Sequence, residues 1–438
     1  MFYWVGYIVF FVFMSDNTKQ DNKLREAYIW YIAGSGINAA ASFVMLLVVT
    51  RFLDASGAGV FSLAFSTAQI VLTIGKFGMR AYHATDISYD IPFGVYCSSR
   101  IICMTLMSLA ELLYILAYGY EIYQAGVFAS VFVIKCIEAV EDLFQGELQR
   151  CGFLGLAGKL FALRNVVTIL LWTAGIYIFS DLLRAALITA AGTVLCAVVL
   201  NLFYSYRIFV IKIDWLWRDI RCLFVSCGPL FASSFLLLYI YNIPRYCLEH
   251  YRTVEEVAYY AVLFVPTFVV TLFCDFYFKP MLTSIAEIWN RRDISGIHRM
   301  LKKQLVFISI CTIIAIAVIV ICGPEVLGAV YGIDITEYRF ELIILMIGGG
   351  GNAAVYVFTN LLVAMRRQTD IIICHAVTAI IISLLSICII RCTGIYGASL
   401  SYLIGILVLL IMLGISVMRN IQRGRRNAYR HCDISGNE

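Results

Sequence analysis

Residues 304–323 read QLVFISICTIIAIAVIVICG, twenty residues without one charged side chain. At about 1.5 Å per residue, a helix of this length spans roughly the 30 Å of a bilayer's hydrocarbon core. Lys302 and Lys303 precede the run, and Pro324 and Glu325 follow it. The stretch therefore predicts a transmembrane helix.

Similar apolar runs recur along the whole chain. Of its 438 residues 62% are hydrophobic and only 14% are charged, whereas soluble domains are roughly 25% charged. We predict twelve transmembrane helices, at 28–50, 57–75, 101–118, 125–145, 160–180, 185–204, 222–243, 257–278, 304–323, 341–364, 370–390 and 395–418. The chain is thus predicted to be an all-α polytopic membrane protein without room for a soluble domain, which excludes most soluble enzyme classes.

Lys and Arg are distributed unevenly between alternate loops. Of 33 such residues 26 fall on one side of the predicted membrane, 6 fall on the other, and Lys135 lies within a span. The side richer in basic residues is normally cytoplasmic, so both termini are predicted to be cytoplasmic. The net charge of +5 gives no argument for a nucleic-acid partner.

The predicted helices form two groups of six. The predicted segments are an N-terminal segment 1–27, a six-helix bundle 28–204, a cytoplasmic connector 205–221, a second six-helix bundle 222–418 and a basic cytoplasmic tail 419–438. A weak repeat places Arg51 and Arg245 at equivalent ends of the first and seventh helices. Repeats of this kind commonly enclose a transporter's binding cleft.

The extreme N-terminus is treated separately. Residues 1–13, MFYWVGYIVFFVF, are too short for an ordinary span and lack the basic region and cleavage site of a signal peptide. Met14 opens a polar stretch of cytoplasmic type. We therefore expect translation to begin at Met14, with residues 1–13 upstream of the true start.

The fourth predicted helix is unusually polar. Lys135, Glu138, Asp142, Gln145 and Gln149 recur at helical spacing and fall within about 80° of one another on a helical wheel. Two interpretations remain open for this face. It lines a water-filled cavity, or Lys135 pairs with Glu138 while Asp142 emerges into the cytoplasm.

Three arginines are further candidates. Arg164 could pair with Glu138 or Asp142, face the same cavity, or extend to the lipid headgroups. Arg51 and Arg245 lie at the outer ends of their helices, where a guanidinium could bind phosphate in a bidentate manner or act as an interfacial anchor.

Other polar features carry two interpretations each. Glu111 and His375 are lone ionisable groups within spans, either satisfied structurally or acting as proton relays. Gly348–Gly351 permits close helix packing or a hinge for alternating access. Asp275 and Lys279 are explained equally well by function and by an interfacial position.

No catalytic signature is present. The 15 cysteines contain no CxxC pair, so neither a disulfide framework nor a zinc site is indicated. Walker, GxSxG and HExxH motifs are missing from the sequence. We therefore predict no catalytic residue, metal or cofactor, and a transporter rather than an enzyme.

Several stretches resemble a known family. They are VVTRFLDASGAGVFSLAFSTAQIVLTIGKFGMR at 48–80, KCIEAVEDLFQGELQR at 135–150, GKLFALRN at 158–165, YIYNIPRYCLEHY at 239–251 and FVPTFVVTLFCDFYFKPMLTSIAEIW at 264–289. Together they resemble the O-antigen and capsule flippases, polysaccharide-biosynthesis proteins of the multidrug/oligosaccharidyl-lipid/polysaccharide (MOP) exporter superfamily. The resemblance covers residues 28–418.

The resemblance implies two six-helix bundles in a MATE-like V, a central cationic cavity and alternating access. The implied substrate is an undecaprenyl-diphosphate-linked oligosaccharide that crosses the plasma membrane outward, carried by a monomer. The implied substrate-binding residues are Arg51, Arg80, Lys135, Arg164 and Arg245. Glu138 and Asp142 are candidates to bind H⁺ or Na⁺ as the coupling ion.

Two rival functions remain. A cation-coupled multidrug antiporter of the same superfamily would favour an acidic, aromatic cavity, whereas the deep charges here are mixed. A membrane glycan polymerase or acyltransferase usually needs a long outer loop or a His and carboxylate pair within the membrane. The sequence favours the flippase.

Overall fold

The computed structural model describes residues 19–86, 91–205, 208–278, 289, 293–365 and 367–435. Within these ranges the chain is helical, with one short 3-10 helix at Thr336–Tyr338 and no β-strand. Its α-helices are α1 (Lys19–Phe52), α2 (Ala55–Lys76), α3 (Met79–Thr85), α4 (Phe93–Tyr118), α5 (Ile122–Arg150), α6 (Leu154–Phe179), α7 (Leu182–Ser205), α8 (Trp217–Tyr251), α9 (Val254–Phe278), α10 (Ile294–Tyr331), α11 (Arg339–Ala364), α12 (Gln368–Thr393) and α13 (Ile395–Ser435). The predictions for residues 1–13 and for the side chains of Asp275 and Lys279 lie outside the described residues.

The all-α prediction is confirmed. Apart from the seven-residue α3, each helix of the described ranges coincides with one of the twelve predicted segments. Ten helices in these ranges are long and apolar enough to cross a membrane. The protein is therefore a multi-pass integral membrane protein, while the cytoplasmic position of its termini stays a prediction.

Several helices are longer than their apolar runs predicted. Helix α10 has 38 residues, about 57 Å at 1.5 Å per residue. Helix α4 begins at Phe93 rather than at residue 101, and α8 begins at Trp217, inside the predicted connector. Hydropathy marks only the part of a helix suited to hydrocarbon, whereas backbone hydrogen bonds continue the helix beyond it.

The chain divides into two compact units, Met1–Phe231 and Ala232–Glu438. The division falls within α8, later than the predicted connector at 205–221. The predicted bundle boundaries stay predictions.

In the first unit α5 is the central helix. It packs against α2, α3, α4, α6 and α7, although it is the helix richest in buried charges. Nearby, the buried Trp172 ring on α6 packs 4.9 Å from the Phe61 ring, and its indole N–H donates to the Met45 carbonyl at 3.1 Å. Because α5 carries buried charges and contacts five other helices, most of the helices of this unit meet around a polar centre.

In the second unit α11 packs against α9, α10, α12 and α13. The four glycines Gly348–Gly351 lie within this helix and face different neighbours. A Cβ added at Gly348 would lie 2.5 Å from Tyr402, and one at Gly349 would lie 3.0 Å from the Thr267 backbone. The glycines therefore permit close helix packing, while the hinge stays a prediction.

Helices α1 and α6 also approach closely, through Gly34 and Gly158. A Cβ added at Gly158 would lie 2.5 Å from the Tyr31 amide nitrogen, and one at Gly34 would lie 2.8 Å from the Gly158 carbonyl oxygen. These neighbours are backbone atoms, which cannot rotate away as a side chain can. Small residues at such a crossing let two membrane helices pack tightly.

We predict that Gly158→Ala lowers the unfolding free energy by about 1–3 kcal/mol, because the new methyl group forces α1 and α6 apart. Gly36→Ala is the matched control, since no described atom beyond its own stretch of α1 lies within 4 Å of its added Cβ. That change should be neutral or stabilising by up to about 1 kcal/mol. Thermal unfolding in detergent measures both, and equal stabilities for the two variants would contradict the prediction.

Candidate functional site

The charged residues of α5 are buried inside the first unit. From Lys135 to Arg150 they pair with side chains of α2, α3, α4 and α6 and of the segment after α3. We call these residues the ion network: Lys76, Arg80, Asp86, Arg100, Lys135, Glu138, Glu141, Asp142, Glu147, Arg150 and Arg164.

At one end of the network, Glu138 accepts from two lysines. The Lys135 ammonium lies 2.9 Å from Oε2 of Glu138, and the Lys76 ammonium lies 2.8 Å from Oε1. Lys135 also lies 4.4 Å from the centre of the Phe65 ring. The predicted pair between Lys135 and Glu138 is therefore present, and Lys76 joins it from α2.

Asp142 lies between two arginines. Nη2 of Arg100 lies 3.0 Å from Oδ2 of Asp142, whereas Nη1 of Arg80 lies 3.7 Å from Oδ1. Arg100 also donates to the Gly75 carbonyl. Arg80 donates to the side-chain oxygens of Gln145 and Gln149 at 2.8 and 3.0 Å. Asp142 is thus buried within the first unit, while its depth in the membrane stays a prediction.

Arg164 pairs with a carboxylate that the sequence interpretation had not considered. Its Nε donates to Oε2 of Glu141 at 2.8 Å. Neither Glu138 nor Asp142 forms an ion pair with Arg164 in the described structure, because α6 packs against α5 on the side where Glu141 points. Arg164 is only 2% exposed, so its side chain does not extend to the surface.

The other end of the network holds a second cluster around Glu147. The Arg150 guanidinium lies 2.8 Å from Glu147 and 3.3 Å from Asp86. His83 on α3 lies 2.7 Å from Glu147 and stacks on Tyr96 with the ring centres 3.9 Å apart. Burial lowers the pKa of His83, although Glu147 acts in the opposite direction. This cluster fixes α3 onto α5.

The ion network has an excess of basic groups. Six basic and five acidic residues give one net positive charge, with His83 neutral. Lys76 and Arg80 keep 32% and 18% of their side chains exposed, whereas the other four basic side chains are at most 8% exposed. Lys76 and Arg80 are therefore its accessible cations.

Two predicted arginines lie elsewhere. Arg51 is exposed in the last turn of α1, next to Phe52, whose ring packs 5.9 Å from Tyr177 near the end of α6. Arg245 lies on α8 in the second unit, where its Nη1 donates to Oδ1 of Asn242 at 3.2 Å. Neither residue contributes to the ion network.

Arg245 has a polar and aromatic setting. On the same helix the Tyr241 hydroxyl donates to the Asn352 amide oxygen of α11. The rings of Tyr241 and Tyr402 lie 6.3 Å apart. One hydrogen-bond partner of the Arg245 guanidinium is thus an amide, whereas Arg164 pairs with the Glu141 carboxylate.

Sequence interpretation missed several members of the network. The apolar run begins after Arg100 and predicts a loop at this residue, yet α4 begins at Phe93 and places Arg100 two turns inside a helix. Hydropathy likewise predicts a loop at Lys76, which is the last residue of α2. The buried charges of α5 require partners from neighbouring helices. Charged residues that border an apolar run, such as Arg100 and Lys76, were therefore the available sign of those partners.

Three solved structures that align with this chain are membrane transporters. A multidrug resistance transporter of the MATE family, in the MOP superfamily and in an inward-facing conformation, aligns with TM-score 0.70 and 13% identity over 89% of this chain and 95% of its own. The MATE transporter VcmN of Vibrio cholerae, in a bent form, aligns with TM-score 0.59 and 14% identity over 91% and 97% of the two chains. A MOP superfamily transporter of Pyrococcus furiosus, reported with a binding pocket of reverse polarity, aligns with TM-score 0.55 and 13% identity over 91% and 95%.

No protein-family model and no curated protein sequence matches the chain. The likeness to the solved structures extends over both units and nearly the whole of each transporter. The chain therefore has the fold of the MATE transporters of the MOP superfamily.

We predict that Glu141→Ala costs about 3–5 kcal/mol of stability, because it leaves the buried Arg164 without its ionic partner. The double variant Glu141→Met with Arg164→Met should lose much less, since it removes both charges and fills the space with apolar atoms. Thermal unfolding of the purified variants measures the difference. A double variant as unstable as Glu141→Ala would contradict the pairing.

Proposed function

We propose that this protein is an exporter that works by alternating access, as a monomer, in the plasma membrane. The fold that it shares with MATE transporters supports this proposal, as does a chain made almost entirely of long helices. Function resides in sites rather than in folds, so the substrate has to be argued from the buried charges.

The substrate that we propose is an undecaprenyl-diphosphate-linked oligosaccharide, a precursor of O-antigen, capsule or teichoic-type polysaccharide. The observation that carries this proposal is the ion network, which gathers six basic side chains within one unit and leaves a net positive charge. A diphosphate carries about two negative charges, which a low-dielectric cavity would exclude unless basic groups were present.

Arg80 is suited to make the first contact with the diphosphate. It is partly exposed, and its contact with Asp142 is longer than that of Arg100. The neutral amides of Gln145 and Gln149 hold its guanidinium. Phosphate oxygens would replace these neutral hydrogen bonds by charge-assisted ones, which are roughly twice as strong.

The remaining basic residues are proposed to act after this first contact. Lys76 is also partly exposed, and Lys135 and Arg164 lie deeper in the same network. Arg51 and Arg245 are proposed contacts outside it. The hydroxyl and amide groups of Tyr241 and Asn242 beside Arg245 are suited to sugar hydroxyls.

The carboxylates of the network are proposed to hold its basic groups while no substrate is bound. An unpaired cation in the membrane interior is costly, whereas a paired one is tolerated. Glu138 faces Lys76 and Lys135, and Asp142 lies between Arg80 and Arg100, so each of these two acids compensates the charge of two basic side chains. That they also bind H⁺ or Na⁺ as a coupling ion stays a prediction.

A cation-coupled multidrug antiporter is the second candidate. The observation that favours it is the presence of five acidic side chains in the network, which could bind an organic cation if substrate entry displaced the basic groups. Binding an organic cation would require an excess of acidic groups, whereas basic groups outnumber acidic ones in the ion network.

We predict that Arg80→Gln reduces the flipping of undecaprenyl-diphosphate oligosaccharide in proteoliposomes roughly ten-fold or more at low substrate concentration, because one charge-assisted contact with the headgroup is lost. Lys159→Gln is the matched control. Lys159 is also basic and also lies on the first unit, but it forms an exposed pair with Glu26 at 3.0 Å.

Flipping by the control should equal that of the wild-type protein. Equal flipping by Arg80→Gln and wild type would exclude Arg80 from headgroup binding. A wild-type protein that moves no lipid-linked sugar but exports ethidium against a proton or sodium gradient would support the multidrug antiporter instead.

A further inference from the structure

Glu111 is a buried acid that takes no part in the ion network. It lies on α4, one turn after the buried Met107, and is 2% exposed. Within the part of the chain that the structure describes, neither carboxyl oxygen has a hydrogen-bond partner and no ion pair includes this residue. It differs in this respect from the acids of the network, which all face basic groups.

The contacts on either side of Glu111 show what it faces. One turn further along α4, the Tyr114 ring packs 6.0 Å from the Phe128 ring of α5. One turn before it, Met107 belongs to an apolar cluster with Ala139 of α5. Glu111 therefore faces the intervening turns of α5, which carry Phe132 and Cys136.

Among the residues that the structure describes, the titratable groups around Glu111 offer it no positive charge. From α5 the facing group is the thiol of Cys136, and the adjacent Lys135 ammonium is directed to Glu138 instead. Helix α2 carries no ionisable residue between Asp54 and Lys76. On α4 itself the neighbouring group is the Tyr114 phenol.

An ionised carboxylate at this position would be buried and would face no counter-ion among the described residues, and a buried acid in such surroundings favours its neutral form. The neutral acid fits among Met107, Phe132 and Cys136, whereas the charged form does not. The other lone ionisable group, His375, is different because Nδ1 of its ring lies 3.1 Å from the Ser233 carbonyl oxygen.

We propose that Glu111 is a proton-binding site between α4 and α5. Its carboxyl is protonated in the conformation described here. When these helices separate enough to admit water, the O–H bond breaks, the proton passes to water and the carboxylate becomes hydrated. The use of this step to drive export rests on the proposed function, whereas the presence of the proton does not.

Infrared spectroscopy of the reconstituted protein at neutral pH tests the bound proton without any substrate. We expect the carbonyl-stretch band of a protonated carboxylic acid in the wild-type protein, and its loss in Glu111→Gln. The matched control is Glu255→Gln, because Glu255 is an exposed acid in the first turn of α9. The band should remain in that variant. A band missing from wild type, or unchanged in Glu111→Gln, would overturn the proposal.

Glutamine has nearly the shape of the protonated acid, so Glu111→Gln should fold. If the Glu111→Gln variant does not fold, a second measurement on the wild-type protein tests the proposal. Dicyclohexylcarbodiimide, an apolar reagent that adds to protonated carboxyl groups, should modify the peptide containing Glu111 and leave that containing Glu255 unmodified. Mass spectrometry would show the adduct, and labelling of Glu255 but not Glu111 would contradict the proposal.

Transport in proteoliposomes tests the coupling. With undecaprenyl-diphosphate oligosaccharide as the probe, a proton gradient should accelerate transport several-fold in wild type and have no effect in Glu111→Gln. Exchange of the same lipid without a gradient should persist in the variant. If the proton gradient does not change the transport rate of the wild-type protein, the proposed coupling alone would be overturned. Failure of wild type to move this lipid would instead overturn the proposed substrate, while the infrared band would still report the bound proton.

Discussion

Charged side chains buried among apolar helices need opposite charges, and this requirement organises the first unit around α5. The helix carries Lys135, Glu138, Glu141, Asp142, Glu147 and Arg150. Helices α2, α3, α4 and α6 each supply a partner to one of these groups. The ion pairs thus determine which helices pack against α5 and how α5 is rotated about its axis. If the helix were turned by one residue, unpaired charges would remain in the interior.

The second unit is held together by shape more than by charge. Its central helix α11 presents consecutive glycines to α9, α10 and α13, and an added Cβ at these positions would meet Thr267, Thr312 or Tyr402 at 3.0 Å or less. Close approach of backbones maximises van der Waals contact where the hydrophobic effect between membrane helices is weak. The two units therefore reach stable packing by different means, although each consists of long apolar helices.

Two kinds of acid follow from these arrangements. Glu138 and Asp142 lie between basic groups whose charges they compensate. Glu111 has no such partner in the described structure and is suited to carry a proton. The export of an anionic lipid that we propose would use both properties: basic groups that are tolerated while no substrate is bound, and an acid whose charge depends on access to water. The first unit provides both around the same helix.

The sequence alone determined the fold class and the positions of the long helices, because an apolar run of the thickness of a bilayer has few alternative structures. It also identified α5 as the charged helix, since the spacing from Lys135 to Gln149 keeps these side chains on one face. Only the tertiary structure decided the partners. Arg164 joins Glu141, Arg100 lies inside α4, and Glu111 has no hydrogen-bond partner among the described residues. Hydropathy records how much charge a segment contains, whereas pairing depends on how neighbouring helices are rotated and how far they extend past the apolar core.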